Sequence, residues 1–472
     1  MRDRKLIFFG TDGVRGSIDN EVNPESVLKL GHAAGRHFKK RGINTVVIGK
    51  DTRISGYMLE SALQAGIISS GVNVRLVGPM PTPAISYLVS TFKGHAGVVI
   101  SASHNSFEDN GIKFFDENGE KLSLENEREI EKFAEEAYEF VHPENLGKAA
   151  RISDAKGRYI EFCKNTLSED ISFSGLSLVI DSANGAAYEV APKVFKELGA
   201  EVYSIADSPD GLNINKDCGS TNIDFLKDEV LNKNADFGIA LDGDGDRLII
   251  IDSNGRELDG DDILYVIAKN KFESKIHLGV KGVVGTLMTN KGLEKAFNDE
   301  GIELVRSDVG DTYVLQKLNE LNWTLGGEQS GHILCLDKSN TGDWIIAAIQ
   351  FLQSILVLNK TIPELLSEFK KYPQILTNVK VKDGNKVLKN KKLQKAQKKS
   401  EELLETFDGR ILIRKSGTEH KIRIMVESNS QDATSEQSVL LTELVESISW
   451  SIWLQIGKWI LLIQMHGWKI LI

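Results

Sequence analysis

The chain has 472 residues, too many for one hydrophobic core, so three or four domains are expected. An apolar share of 41% and a charged share of 26% are those of an ordinary globular protein. With 57 Lys and Arg against 67 Asp and Glu, the net charge of −10 excludes a surface built for bulk nucleic-acid binding, while leaving room for a local basic pocket that takes an anionic small molecule.

Cys163, Cys218 and Cys335 are far apart and form no CxxC, so neither a zinc knuckle nor a disulfide framework is expected, and a reducing cytoplasm fits. The apolar run Leu6 to Phe9 is too short for a signal-peptide core. In chain order, Phe8-Phe-Gly-Thr-Asp-Gly-Val-Arg-Gly16 reads as a strand breaking into a Gly-rich loop that carries one cation, Arg15. A helix over Pro24–Lys40, a strand over Thr45–Asp51, a helix to Ser70, a strand over Val72–Val77 and a helix from Thr82 follow. Val98 to Ile100 reads as a short buried strand, and Gly111-Ile-Lys-Phe-Phe115 as another. Between them lies a polar loop with Ser101, Ser103, His104 and Asn105; its serine is open to reading as a nucleophile, a phosphate carrier or a turn former. An acidic amphipathic helix from Ser123 to Phe140 closes this part. The alternation implies βαβ units, a mainly parallel sheet and ligands at the carboxyl ends of strands.

A second βα series starts near Ile152, with strands over Leu176–Asp181, Glu201–Ile205, Phe237–Leu241 and Leu248–Ile251, and a helix over Tyr188–Leu198. A third opens near Asp259. It holds helices over Asp262–Lys271, Lys291–Asn298 and Asp311–Leu321, strands over Gly282–Gly285 and Ile302–Val305, a turn over Gly326–His332 between two strands, and helices from Asp343 and Ile362. From Tyr372 the pattern changes to a strand over Ile375–Val381, a Lys-rich helix over Asn390–Glu405 whose Lys run from 386 to 399 reads as a solvated face, with polyanion binding as the alternative, and two strands around Arg414–Arg423. A last helix spans Asp432–Ser447.

Three stretches beside the serine loop carry chemistry. Asp242-Gly-Asp-Gly-Asp246 sets three carboxylates on alternate residues of a turn whose glycines let the oxygens converge; a cation between them would relieve their repulsion. An oxygen-only set favours Mg²⁺, with Mn²⁺ possible and a plain Asp/Gly turn as the alternative. It is not a calcium EF-hand loop, whose sixth and twelfth positions here are Arg247 and Ser253. Gly327-Glu-Gln-Ser-Gly-His332 offers groups that hydrogen-bond vicinal sugar hydroxyls, or makes an ordinary turn. Arg414-Lys-Ser-Gly-Thr418, with Arg423 beyond it, reads as a phosphate cradle or a charged hairpin; no Walker A loop occurs.

These stretches, together with Phe9-Gly-Thr-Asp-Gly-Val-Arg-Gly16 and Gly49-Lys-Asp-Thr-Arg-Ile-Ser-Gly56, recur in the order and spacing of one family. From residue 8 to residue 428 the chain closely resembles the α-D-phosphohexomutases. The Gly-Glu-Gln-Ser form of the sugar loop is similar to the branch acting on glucosamine phosphates; Met commonly replaces Gln in the mannose branch. The resemblance implies an α/β protein of four domains around a central cleft, the first three alike with mixed sheets and the last α+β. They would be residues 1–150 with a phosphoserine loop, 151–257 with the metal loop, 258–370 with the sugar loop and 371–448 with the phosphate loop, leaving 449–472 as an atypical hydrophobic extension.

It further implies that Ser103 is the phosphorylated residue and that Ser103, Asp242, Asp244 and Asp246 hold one Mg²⁺ per chain. Glu328 and Ser330 would bind sugar hydroxyls, and Arg414, Ser416, Gly417, Thr418 and Arg423 would take the non-transferred phosphate. Arg15, Lys113, Arg247 and His332 match positions that assist charge stabilisation or proton transfer. The implied reaction interconverts glucosamine 6-phosphate and glucosamine 1-phosphate through a bisphosphate, with a hexose 1,6-bisphosphate as activator, and supplies UDP-N-acetylglucosamine for peptidoglycan. The partner would be a small sugar phosphate, with no nucleic acid and no membrane; a homodimer stays open. The alternatives are a phosphomannomutase/phosphoglucomutase and a sugar-phosphate-binding homologue without turnover.

Four positions depart from the family pattern: Ser106 and His420 stand where Pro is usual, Thr312 where Arg is usual, and Trp344 where a small residue is usual. The segment from Ser449 holds four of the six Trp and no acidic residue, and Gln455, Lys458, Gln464, His466 and Lys469 interrupt it too often for a membrane span. It reads either as an interfacial amphipathic segment or as an unselected extension.

Overall fold

The structure is a computed structural model that describes residues 9–10, 13–92, 94–273, 281–416 and 420–465, with backbone alone from residue 450. The chain forms two compact units, Met1–Thr286 with Val305–Leu365, and Leu287–Leu304 with Leu366–Ile472.

The first unit opens with β1 (Val14–Ser17), α1 (Pro24–Lys40), β2 (Thr45–Lys50), α2 (Ser55–Ser69), β3 (Asn73–Pro79), α3 (Thr82–Thr91), β4 (His95–Ile100), β5 (Asp109–Phe115), α4 (Leu124–Glu135) and β6 (Ala149–Arg151). Their six-stranded sheet has the order β1-β5-β4-β2-β3-β6. Strands β4, β2, β3 and β6 run parallel, and β5 alone runs against them, pairing antiparallel with β4 on one side and β1 on the other. Helix α1 starts where Asn23 and Ser26 cap each other reciprocally, with Pro24 in its first turn and Lys39 and Lys40 in its last. Its buried stripe of Val27, Leu30, Ala34 and Phe38 packs with Val46, Ile48, Val98 and Ile112 of the sheet. Helices α1 and α2 touch backbone to backbone: a Cβ on Gly66 would lie 2.1 Å from the Leu28 carbonyl oxygen.

Next come α5 (Ala155–Lys164), β7 (Ser177–Asp181), α6 (Val190–Glu197), β8 (Glu201–Ile205), α7 (Asp224–Lys233), β9 (Phe237–Leu241), β10 (Leu248–Asp252) and β11 (Glu257–Leu258), in a sheet ordered β11-β10-β9-β7-β8. Every residue of β9 is buried, as its unbroken apolar run dictates. It turns back antiparallel into β10 through the Asp242–Arg247 loop. A third set holds α8 (Gly260–Glu273), β12 (Gly282–Thr286), β13 (Glu303–Ser307), α10 (Asp311–Leu321), β14 (Leu325–Gly327), β15 (Ile333–Cys335), α11 (Trp344–Leu358) and α12 (Ile362–Leu365), while α9 (Lys291–Asp299) belongs to the second unit. The sheet of the third set is ordered β13-β12-β14-β15, with residues 328–332 as the β14–β15 hairpin loop.

In the second unit, β16 (Gln374–Lys380), α13 (Gly384–Leu388), α14 (Lys391–Glu405), β17 (Arg410–Lys415), β18 (Lys421–Glu427) and α15 (Gln431–Met465) form an antiparallel sheet β16-β18-β17 backed by helices. Val379, Ile422, Ile424, Leu441 and Val445 are among its core residues.

Several boundaries differ from the sequence expectation. The first described strand follows the Gly-rich turn, because Val14–Ser17 pairs with Asp109–Ile112 of β5; Phe8 lies outside the described residues. Helix α4 stops at Glu135, well short of Phe140. Beyond it Tyr138 and Phe140 stack on each other with centroids 5.5 Å apart and meet His32, and those ring contacts outweigh continued helix. The helix at Ile362 is a single turn. The last helix runs on past Ser447 to Met465, through a proline-free stretch rich in Ile, Leu and Trp. Helices α5, α7 and α13 had no expectation. In α7 only Leu226 and Val230 are buried, too few to mark a periodic face.

The buried carboxyl at the end of β7 makes stability depend on pH. Asp181 accepts hydrogen bonds from the backbone N–H groups of Ala183 and Gly219, both at 2.8 Å, yet burial pushes its pKa up to about 6. The unfolded carboxyl ionises at lower pH than the folded one, so this group contributes most below the unfolded value. Its contribution falls as pH rises from about 4 to about 7, by up to about 3 kcal/mol. Asp181→Asn cannot ionise and lacks that loss. Urea unfolding should therefore show the variant gaining on wild type between the two pH values; an equal gap at both would contradict the assignment.

Candidate active site

Strand β4 delivers the chain into a loop that returns on β5, and Ser103 sits in it with a left-handed φ of 53°. A non-glycine residue there costs about 1–3 kcal/mol and persists only when its surroundings hold it. They do so on several sides. Ser101 Oγ accepts from the Ser103 N–H at 3.0 Å. Arg53, 1% exposed and bonded to the Asp51 carboxylate, donates to the carbonyls of Ser103 at 3.2 Å and Asn105 at 2.6 Å. Asn215 Nδ2 donates to the same two carbonyls, each at 2.9 Å. The Ser103 hydroxyl is thereby aimed at Asp242, donating to Oδ2 at 2.6 Å.

The Asp242–Arg247 loop closes on itself: Asp242 Oδ1 accepts from the N–H groups of Asp246 at 3.0 Å and Arg247 at 3.2 Å, and Gly245 turns with φ 73°. Oxygens of Asp242, Asp244 and Asp246 lie within 4.8 Å of one another. Asp242 and Asp244 are buried, and the Asp244 Oδ1 atom has no hydrogen-bond partner among the described residues. Thr82 Oγ1 and Lys113 Nζ both donate to Asp244 Oδ2 at 2.8 Å, and Lys113 reaches Asp246 at 3.3 Å. Lys113 pairs with Asp244 and Asp246, which leaves the three carboxylates crowded against one another. Burial, then the charges of Asp246 and Asp244, hold the Asp242 carboxyl well above the usual range. A largely buried set of converging oxygens that leaves Asp244 Oδ1 without a partner fits a hard divalent cation such as Mg²⁺.

His104 stands beside Ser103, its Nδ1 3.2 Å from the hydroxyl. Burial, then the positive charges of Arg247 and, more weakly, Arg15, lower its pKa to about 4, so the ring is neutral at pH 7. The charges that reach His104 place Arg15, exposed on β1, and Arg247 in the same neighbourhood.

The β14–β15 hairpin carries Glu328, Ser330 and His332. It is tied to the strand that follows the aspartate loop by the Leu248 N–H, which donates to the Gly331 carbonyl at 3.0 Å. Ser330 is exposed and Glu328 partly buried. Burial raises the Glu328 pKa against the opposing charge of His332. His332 is buried with Nε2 3.7 Å from Asp311, which also pairs with Lys121 at 2.5 Å. In the second unit, Arg414 and Arg423 face each other across β17 and β18. Like charges directly opposite repel unless an anion joins them, the property expected of a phosphate cradle. Ser416 is buried, and its N–H donates to the Lys421 carbonyl at 2.9 Å. Gly417 and Thr418 lie outside the described residues.

The first unit thus brings together Ser103, the three aspartates, Lys113, Arg15, Arg247, Glu328 and His332. Sequence reasoning assigned no role to Arg53, Asn215, Thr82 or His104. Arg53 sits within the Gly49–Gly56 motif, which is the sequence signal for it; Asn215 and Thr82 carry none. The departures have structural readings. Ser106 serves through its carbonyl, which accepts from Arg53 Nε at 3.4 Å and which proline would equally supply. Thr312 is exposed in the first turn of α10, His420 is exposed, and Trp344 is buried.

Four family descriptions match the chain: Phosphoglucomutase/phosphomannomutase, alpha/beta/alpha domain I over residues 6–140, domain II over 157–255, domain III over 259–372, and the C-terminal domain over 376–443. A phosphoglucosamine mutase of Pseudoalteromonas translucida is 50% identical over 450 residues, 95% of this chain and 99% of that protein. Among solved structures, a phosphoglucomutase/phosphomannomutase family protein from Burkholderia thailandensis shares the fold with a TM-score of 0.77 at 23% identity, over 94% of this chain and 98% of that one. An N-acetylphosphoglucosamine mutase of Aspergillus fumigatus, solved with GlcNAc-6P and magnesium, does so at 0.67 and 19% identity, over 94% and 96%.

Proposed function

The chain belongs to the phosphoglucomutase/phosphomannomutase family, and on that premise we propose that it is a mutase interconverting glucosamine 6-phosphate and glucosamine 1-phosphate. The identity to phosphoglucosamine mutases over nearly the whole chain supports the substrate. The observation that carries the chemistry is the Ser103 hydroxyl, held 2.6 Å from Asp242 on a strained and buttressed loop.

In this reading Ser103 carries a phosphoryl group. The C1 hydroxyl of glucosamine 6-phosphate attacks its phosphorus; the new O–P bond forms as the Ser103 Oγ–P bond breaks, and Oγ takes up a proton. The bisphosphate turns around, its 6-phosphoryl group passes back to Ser103, and glucosamine 1-phosphate leaves. Asp242, Asp244 and Asp246, with Ser103, would hold a divalent cation, which when bound offsets charge on the transferring group. Lys113 lies on the same carboxylates and stabilises developing negative charge there. Arg247 and Arg15 add positive charge near the serine loop. His332, beside Asp311, is the candidate for moving the proton of the attacking hydroxyl. Glu328 and Ser330 would bind the sugar hydroxyls. Arg414, Ser416 and Arg423, with Gly417 and Thr418, would hold the phosphate not being transferred. A hexose 1,6-bisphosphate would prime Ser103. Among the described residues no helix is long and apolar enough to cross a membrane. A cytoplasmic role supplying UDP-N-acetylglucosamine and peptidoglycan fits the substrate.

Phosphorus NMR with Mg²⁺ and a trace of hexose 1,6-bisphosphate tests the proposal. Glucosamine 6-phosphate should be isomerised in preference to glucose 6-phosphate and mannose 6-phosphate. Faster turnover of either rival would overturn the substrate and keep the chemistry. No turnover of any would favour a binding protein.

A further inference from the structure

Trp344 stands where the family that this chain resembles carries a small residue, and it is built into the wall of the aspartate loop. Its placement begins with Asp343, the N-cap of α11, whose Oδ1 accepts from the Ile346 N–H at 3.2 Å and whose Oδ2 accepts from the Tyr159 hydroxyl at 2.8 Å. Those two bonds set the first turn of α11 and direct the Trp344 ring inward, where it is 1% exposed. The ring edge presses on Gly245. A Cβ at Gly245 would fall 2.3 Å from Trp344 Nε1, 3.0 Å from its Cδ1 and 3.2 Å from Pro81 Cβ. Gly245 is the residue between Asp244 and Asp246, and its φ of 73° is what brings those two carboxylates back toward each other.

Two buried polar atoms of the loop and its wall have no partner among the described residues: the Trp344 indole N–H, which lies at the Gly245 contact, and Asp244 Oδ1. Buried indole N–H groups ordinarily find an acceptor, so an orphan donor on the residue packed against Gly245, with an orphan carboxylate oxygen on the residue before Gly245, marks a loop whose polar groups are completed by something further.

We propose that Trp344 is a positioning residue for the divalent-cation loop: its indole edge is the wall that holds Gly245 in the left-handed turn and keeps Asp244 and Asp246 convergent. This rests on the reading of the three aspartates as a metal site. Residues behind a metal's ligands typically change affinity by about 10- to 100-fold when removed, and a packing wall belongs at the lower end of that range.

The test titrates the full-length protein with Mn²⁺ and follows free Mn²⁺ by electron paramagnetic resonance, which needs no turnover. Wild type, Trp344→Ala, Trp344→Phe and Asp244→Asn are compared, with circular dichroism as the check on folding. The expected result is a Kd about tenfold higher in W344A, a smaller rise in W344F, whose ring keeps part of the wall, and loss of the site in D244N. A W344A Kd equal to that of wild type overturns the inference and leaves the metal site standing. Absence of a saturable Mn²⁺ site in wild type overturns the metal reading itself. Should W344A not fold, tryptophan emission decides. Saturable Mn²⁺ quenching in wild type that is missing in W344F, together with the higher W344F Kd, supports the wall. Quenching and Kd unchanged in W344F overturn it.

Discussion

Ser103→Ala lowers turnover of glucosamine 6-phosphate by about 10,000-fold or more, a barrier increase of about 5.5 kcal/mol, while leaving the fold intact. The size follows from the role: alanine has no oxygen to carry the phosphoryl group, and no other hydroxyl of the loop is aimed at Asp242. Ser101 Oγ is already committed to the Ser103 N–H and to Arg53. The fold survives because the loop is held through the backbone of residue 103, whose carbonyl meets Arg53 and Asn215, and not through its hydroxyl. Alanine inherits the left-handed φ of 53° at a cost similar to that of serine. A coupled assay and a thermal melt read the two halves separately. Residual activity above about one part in a hundred would show that the phosphoryl group travels by another route.

Asp244→Asn abolishes the divalent cation's stabilisation of the protein and lowers turnover by about 1,000-fold. Asp244 Oδ2 accepts from Thr82 and Lys113, so the variant's amide turns its oxygen to those donors and its NH₂ group to the Oδ1 side. That is the side of the orphaned acceptor, and a donor there repels a cation. A ligand that binds only the native state at about 100 times its Kd stabilises by about 2.7 kcal/mol. Excess Mg²⁺ should therefore raise the melting temperature of wild type over a chelator-treated sample, and D244N should melt alike in both. A Mg²⁺-dependent shift retained in D244N would remove Asp244 from the ligand set.

Much of this could be read along the chain, and the rest could not, for reasons visible in particular residues. The buried run Phe237–Leu241 and the capped start at Asn23-Pro24 are local signals, and β9 and α1 follow them. The alternating Asp-Gly turn carries its own geometry, and its three carboxylates converge as the spacing suggests. What holds the serine loop is not local. Arg53 lies 50 residues before Ser103, and Asn215 lies 112 residues after it. Each reaches backbone carbonyls, which leave no pattern in the side-chain sequence. The end of α4 was decided by Tyr138 and Phe140 meeting His32 across the fold, a contact stronger than the acidic helical periodicity. At Trp344 a departure from family pattern was legible as a bulky residue, while the glycine that makes room for it lies 99 positions earlier in another loop.

The most direct measurement labels the phosphoryl group on Ser103, mixes the purified phosphoprotein with unlabelled glucosamine 6-phosphate, and follows one turnover. The label should leave the protein and appear in the glucosamine bisphosphate and then in glucosamine 1-phosphate. Label that stays on Ser103 while product forms, or that is released only as inorganic phosphate, would contradict a mutase acting through this serine.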